Sequence, residues 1–171
     1  MLSTSRRIAA IAVIILVAAF SGAIFAQGPT EFSLRAIDAE TVTSQSLRGE
    51  VVVLAFGASW LPLTRDQLEG VKRLADQYAS KGVAVYWVSA DSENPKSKNF
   101  VSDDQLRELA RKYKVTILRD PDGAFSRKLG VDQLPSVIIL DKQGNVAGAI
   151  GGMDPKLNLT VQLAARLDKI L

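Results

Sequence analysis

The sequence predicts one α/β domain, a mixed sheet covered by helices on both faces, behind a short N-terminal address segment. Three observations predict it. The run "VVVLAFG" at 51–57 is apolar throughout and rich in β-branched residues, the composition of a strand buried on both sides. Helical spacing of apolar residues follows this strand and returns after the next one. The chain then closes on two short apolar runs separated by "DKQGN", a hairpin signature, and a last helix. With 171 residues and 47% hydrophobic content, it is long enough to bury a core without staples.

Taken in order, residues 27–50 read as a short strand, a turn and a lead-in ending at Gly49. After 51–57, Leu68, Val71, Leu74, Ala75 and Tyr78 recur at three- and four-residue steps, predicting a helix from Leu63 to Ser80. Gly82 is suited to its left-handed cap. "VAVYWVS" (83–89) is the second strand of this run, with Trp87 expected in the core, and "ADSENPKSKN" is a polar loop whose charges, Glu93 included, are expected to be solvated.

Ser102 with Gln105 three residues on is a capping-box signature, opening a helix with Leu106, Leu109, Ala110 and Tyr113 on one face. "VTILRD" is a strand, "DPDG" a turn, and a short helix from Ala124 to Leu129 closes at Gly130. "SVIIL" (136–140) and "VAGAI" (146–150) form the hairpin. Asp154 followed by Pro155 predicts the start of the last helix, with Leu157, Val161, Ala164, Leu167 and Leu171 on its apolar face.

Residues 1–26 form a separate unit, with 27–171 as the folded domain. Arg6 and Arg7 precede an apolar stretch over 8–26 that carries no charge. The stretch reads as a signal peptide cleaved after Ala26 or as an uncleaved membrane anchor; a buried core helix is the plainer alternative. The arginines predict that the rest is exported, to a periplasmic or other extracytoplasmic location. "SRR" alone is a weak twin-arginine signal.

Composition removes whole classes of chemistry. There is no cysteine and no histidine, which excludes disulfides, thiol nucleophiles, Cys/His zinc sites and histidine-based triads. No metal site and no cofactor is expected, and Met153 without histidine does not argue for haem ligation. Two of the 21 basic residues lie in the acid-free first 26 positions. The other 19 face 18 acidic ones, so no nucleic-acid surface is expected.

The stretch "FGASWLPLTRDQ" (56–67), with "EFSLRAIDAETVTSQSLRGEVVVLAFGASW", "VYWVSADSEN" and "LRDPDGAFSRKLGVDQLPSVIILDKQGNV", resembles the thioredoxin-like proteins of the TlpA/ResA kind. These lie within the redoxin superfamily that includes the AhpC/TSA proteins. The resemblance runs from about Thr30 to Leu171 and implies a thioredoxin-like fold. It also implies a Cys-Pro-Pro-Cys motif after Ala-Ser-Trp, where a helix N-terminus stabilises one thiolate and the second thiol resolves the mixed disulfide; thioredoxin is the standing illustration of that effect. Here Leu61 and Thr64 stand at the two cysteine positions, so no catalytic residue is assigned. The acid that classical thioredoxins carry on the preceding strand falls on Ala55.

The resemblance further implies that Pro135, in "QLPSV", follows a cis peptide bond. It also implies that the backbone of Leu134 pairs with an extended peptide; the alternative is that Pro135 serves the turn alone. Without histidine, Ser59 or Thr64 as a hydrolytic nucleophile would need an unplaced lysine or carboxylate as its base, and Thr64 is expected instead to cap free N–H groups at the helix start. The expectation is therefore a redox-inactive exported protein. It would bind a protein or peptide through a groove formed by Trp60, Leu61, Leu63, Thr64, Leu134 and Pro135, with residues 8–26 in the membrane if uncleaved. Two alternatives stay open. One is an oxidoreductase-type role with thiols supplied by a partner; the other is a passive subunit of a membrane complex in which Leu61 and Leu63 turn inward.

Overall fold

A computed structural model describes residues 28–152, 154 and 157–171. The address segment predicted at 1–26 lies outside the described residues, as do Met153 and Pro155. No helix among the described residues is long and apolar enough to cross a membrane.

The strands are β1 (Ser33–Arg35), β2 (Thr41–Thr43), β3 (Val51–Gly57), β4 (Val83–Ser89), β5 (Ile117–Arg119), β6 (Ser136–Leu140) and β7 (Val146–Gly151). The helices are α1 (Thr64–Tyr78), α2 (Asp103–Tyr113), α3 (Ala124–Lys128) and α4 (Leu159–Ile170). Five strands form one sheet in the order β5-β4-β3-β6-β7, with β3–β4 and β4–β5 parallel and β3–β6 and β6–β7 antiparallel. The order β3-α1-β4-α2-β5-α3-β6-β7-α4 is the predicted one. The 27–50 segment makes two short strands rather than one, and this hairpin docks beside β5 through an Ala36–Leu118 bridge.

β3 is the central strand, and all seven of its residues are buried. Alternation sends Val51, Val53 and Ala55 to one face, against Leu68, Val71 and Leu74 of α1 and Leu159, Leu163 and Leu167 of α4. Val52, Leu54 and Phe56 face the other way, against Leu34, Leu47 and Phe125. Two cores on one strand explain why its sequence carries no polar residue. Trp87 is fully buried, as expected.

The capping box at Ser102 and Gln105 forms as read, and Gly82 takes the left-handed conformation at φ 72° after the 3₁₀ turn that ends α1. Of the predicted inner face of α2, Leu106 is wholly buried, while Leu109, Ala110 and Tyr113 pack in part.

The last helix departs from expectation. It begins at Leu159, capped by Asn158, whose side chain accepts from the Val161 amide at 2.9 Å. Asp154 lies four residues earlier and is not the cap. The buried stripe is Leu159, Leu163 and Leu167, whereas Leu157, Val161 and Leu171 are exposed. A start at Asp154 lies ahead of the true one and sets an apolar face that shares only Leu167 with the stripe that packs. What fixes the true frame is Gly70 on α1, where a Cβ would sit 2.6 Å from Leu159 Cβ; a glycine lets the two helices meet there.

Candidate functional site

The site is built where β3 ends and α1 begins. Gly57 closes β3 because a Cβ there would lie 2.4 Å from Gln67 Oε1 and 2.8 Å from Trp87 Nε1. Gln67, fully buried one turn into α1, accepts from the Trp87 indole at 2.8 Å and donates to the Phe56 carbonyl at 3.0 Å. The start of the helix is thereby tied to both neighbouring strands, with every polar atom of the Gln67 amide that faces inward satisfied. Ala55 is buried beneath, so no carboxylate comes from that strand.

A buried carboxylate is nevertheless present. Asp91, just past the end of β4, is fully buried. It accepts from the Ser59 amide at 3.0 and 3.1 Å, from the Ser59 hydroxyl at 3.0 Å and from the Ser89 hydroxyl at 2.9 Å. The sequence does not single it out, because the acid position implied by the resemblance falls on β3 and residues 90–99 have the composition of a solvated loop. The "VSAD" at a strand end was the available signal. Asp91 is the missing base sought for Ser59, yet its oxygens are taken up by three donors, so the pair is a strut that fixes the residue before Trp60.

Thr64 is buried and is the first residue of α1, as read, but its hydroxyl does not cap an amide. It donates to the Ala58 carbonyl, across the turn. The correction has a simple cause: the turn places Ala58 O inside, where it needs a donor. With Leu61 N donating to the same Ala58 O at 3.1 Å and Thr64 N to Leu61 O at 3.2 Å, the turn is internally closed.

On its outer side the turn is apolar. Trp60 is 56% exposed, Pro62 is exposed, and Leu61 and Leu63 are half-buried. The Leu134–Pro135 peptide is cis, as expected. The register Phe56↔Ser136 carries Pro135 and Leu134 alongside Gly57 and Ala58, at the root of the turn. Pro135 is buried and Leu134 half-buried. Among the described residues, no group hydrogen-bonds the Leu134 N–H or C=O.

The 91–102 loop beside the turn is held more firmly than a solvated loop would be. Glu93 pairs with Arg35 at 2.5 Å and with the buried Arg119 at 3.0 Å, so its expected role as a solvated charge is corrected. Arg119 also donates to the Val101 carbonyl at 3.0 Å, and Asp103 binds Arg35 at 2.7 Å. The hydrogen bond from Arg35 holds the Asp103 carboxyl below its ordinary range. No group of three or more metal-ligating side chains is gathered among the described residues.

Comparison with known proteins agrees with this architecture. The AhpC/TSA family model matches residues 26–149. The thioredoxin-like protein YneN of Bacillus subtilis is 31% identical over 69% of this chain and 66% of its own length. The thiol:disulfide interchange protein DsbE of Pseudomonas aeruginosa is 29% identical over 78% of this chain and 68% of its own. Among solved structures, a DsbE from Chlorobium tepidum superposes with a TM-score of 0.67 at 24% identity, covering 82% of this chain and 95% of that one. The exposed lipoprotein thioredoxin of Streptococcus pneumoniae gives 0.63, also at 24% identity, covering 80% and 99%. At that identity the structures establish a shared thioredoxin-like fold, while the family match spans most of the chain. The chain belongs to the AhpC/TSA family, among its thioredoxin-like members of the TlpA/ResA kind.

Proposed function

We propose that this chain is an exported, redox-inactive thioredoxin-like protein that binds a protein or peptide partner through the groove of Trp60, Leu61, Leu63, Thr64, Leu134 and Pro135. One observation carries the reading: the turn that bears a largely exposed Trp60 roots alongside a cis-proline segment whose preceding residue, Leu134, makes no backbone hydrogen bond among the described residues. An extended peptide would take its main-chain bonds from Leu134 and seat a side chain against Trp60. Thiol exchange needs a thiolate, and Leu61 and Thr64 offer a hydrocarbon and a hydroxyl already spent on Ala58. Export is supported by the basic, then apolar, start of the sequence and by relatives that include an exposed lipoprotein thioredoxin.

Two assays test this. Purified protein with dithiothreitol should reduce insulin no faster than dithiothreitol alone, and turnover above that background contradicts the reading. Capture from native membranes should yield a partner that is lost with Leu61→Glu plus Leu63→Glu while the fold is retained.

A second reading, an oxidoreductase-type role with thiols supplied in trans, draws support from relatives described as thiol:disulfide interchange proteins. It predicts a mixture in which the partner's thiol turnover rises when this chain is added. The half-burial of Leu61 and Leu63 favours a third, the passive subunit, whose partner would be retained by that double variant.

A further inference from the structure

Beyond the turn, charge is unevenly placed. From residue 27 onward basic and acidic side chains nearly balance. Yet the open groove between α1 and α2, about 750 Å³, is lined by Arg65, Lys72, Arg73, Lys112 and Lys114 against one acid, Glu69, with Tyr113 completing the wall. Glu69 is shared between Arg65 at 3.3 Å and Arg73 at 3.9 Å, and Lys72 pairs with Asp76 outside the groove. Lys112 and Lys114 have no carboxylate within ion-pair distance among the described residues; Lys112 lies over the Tyr113 ring at 5.3 Å.

Helix electrostatics explains only part of this. Cations at the C-terminus of α2 are favoured by its carbonyl end. Arg65, by contrast, lies in the first turn of α1, where a cation is disfavoured. Lys114 also occupies the left-handed cap of α2 at φ 54°, a position that ordinarily favours glycine or asparagine. These are unfavourable local choices that agree on one groove.

We propose that this groove is a docking surface for an acidic polypeptide segment, separate from the Trp60 groove. The arrangement fits a linear polyanion. Arg65 to Arg73 spans about 12 Å of helix, roughly four residues of an extended chain. A single phosphate would gather cations at one point, whereas Arg65 and Arg73 lie about 12 Å apart along α1. A membrane surface is flat, whereas these cations line a cleft between two helices, and no large apolar side chain projects among them to insert in lipid.

The test measures fluorescence anisotropy of a labelled ten-residue oligoglutamate with the full chain in non-ionic detergent. Lys112→Ala plus Lys114→Gly removes two charges at exposed positions, and glycine suits the cap. Lys98→Ala plus Lys169→Ala removes the same charge elsewhere and is the control. The expected result is saturable, salt-sensitive binding that weakens about tenfold in the first variant and less than about twofold in the control. Equal weakening in both, or no saturable binding, overturns the proposal, since bulk charge would then explain everything. Tripolyphosphate or dihexanoyl phosphatidylglycerol displacing the peptide at lower concentration than unlabelled oligoglutamate would overturn the choice of occupant.

Discussion

The 58–64 turn and the Leu134–Pro135 segment are built in opposite ways. The 58–64 turn uses several of its own polar groups: Ser59 is bound to Asp91, Ala58 O accepts from Leu61 N and Thr64 Oγ1, and Leu61 O accepts from Thr64 N. By contrast, the backbone of Leu134 makes no hydrogen bond among the described residues. The turn is therefore held by its own bonds and exposes Trp60, while the Leu134 segment has main-chain groups to offer. The contrast within the turn is just as instructive. The Thr64 side chain has become part of the internal bonding, whereas the Leu61 side chain contributes only apolar surface.

That comparison can be broken from the inside. Asp91→Ala leaves the Ser59 amide and two hydroxyls without their acceptor in a buried site. It should cost about 3 kcal/mol in urea unfolding and free the turn. Trp87→Phe orphans Gln67 Oε1 and should cost about 1.5 kcal/mol, which thermal or urea melts would detect. Thr64→Val, close to isosteric, leaves Ala58 O with a single donor and should cost about 1 kcal/mol. Leu61→Ser should cost about 0.5 kcal/mol or less, because a half-buried side chain without polar partners is being trimmed. If Leu61→Ser proved as costly as Thr64→Val, the division of labour between the two motif positions would be wrong.

The adjoining loop sharpens the picture through pH. Arg35 holds Asp103 below its ordinary value of 3.8, so the folded state binds this proton less readily than the unfolded chain. The pair's contribution is complete above that value and drains away as pH falls through the lowered folded-state pKa. Asp103→Asn should therefore flatten part of the acid limb below about pH 4 in a stability profile, and leave the curve's shape above about pH 6 unchanged.

Much of this was legible in the sequence because its signals are local. The apolar run of β3, the Ser102–Gln105 box and the hairpin at 141–145 each declare themselves within a few residues. What was not legible depends on distant partners. Asp91 reads as a loop acid until folding brings Ser59, 32 positions away, beneath it. Glu93 gains its role only from Arg35 and Arg119 on two other strands. In α4 two capping candidates, Asp154 and Asn158, competed. The choice fell to packing of Leu159 on Gly70, a contact no sequence window contains.

The most direct test of the central claim is site-specific photocrosslinking in the native membrane, with a photoreactive residue in turn at positions 60, 134, 147 and 165. The last two are exposed sites on β7 and α4. A groove that binds a partner predicts the same adduct from 60 and 134 and none from 147 or 165. Adducts from 147 or 165 with none from 60 and 134 would place the interface elsewhere and contradict the account.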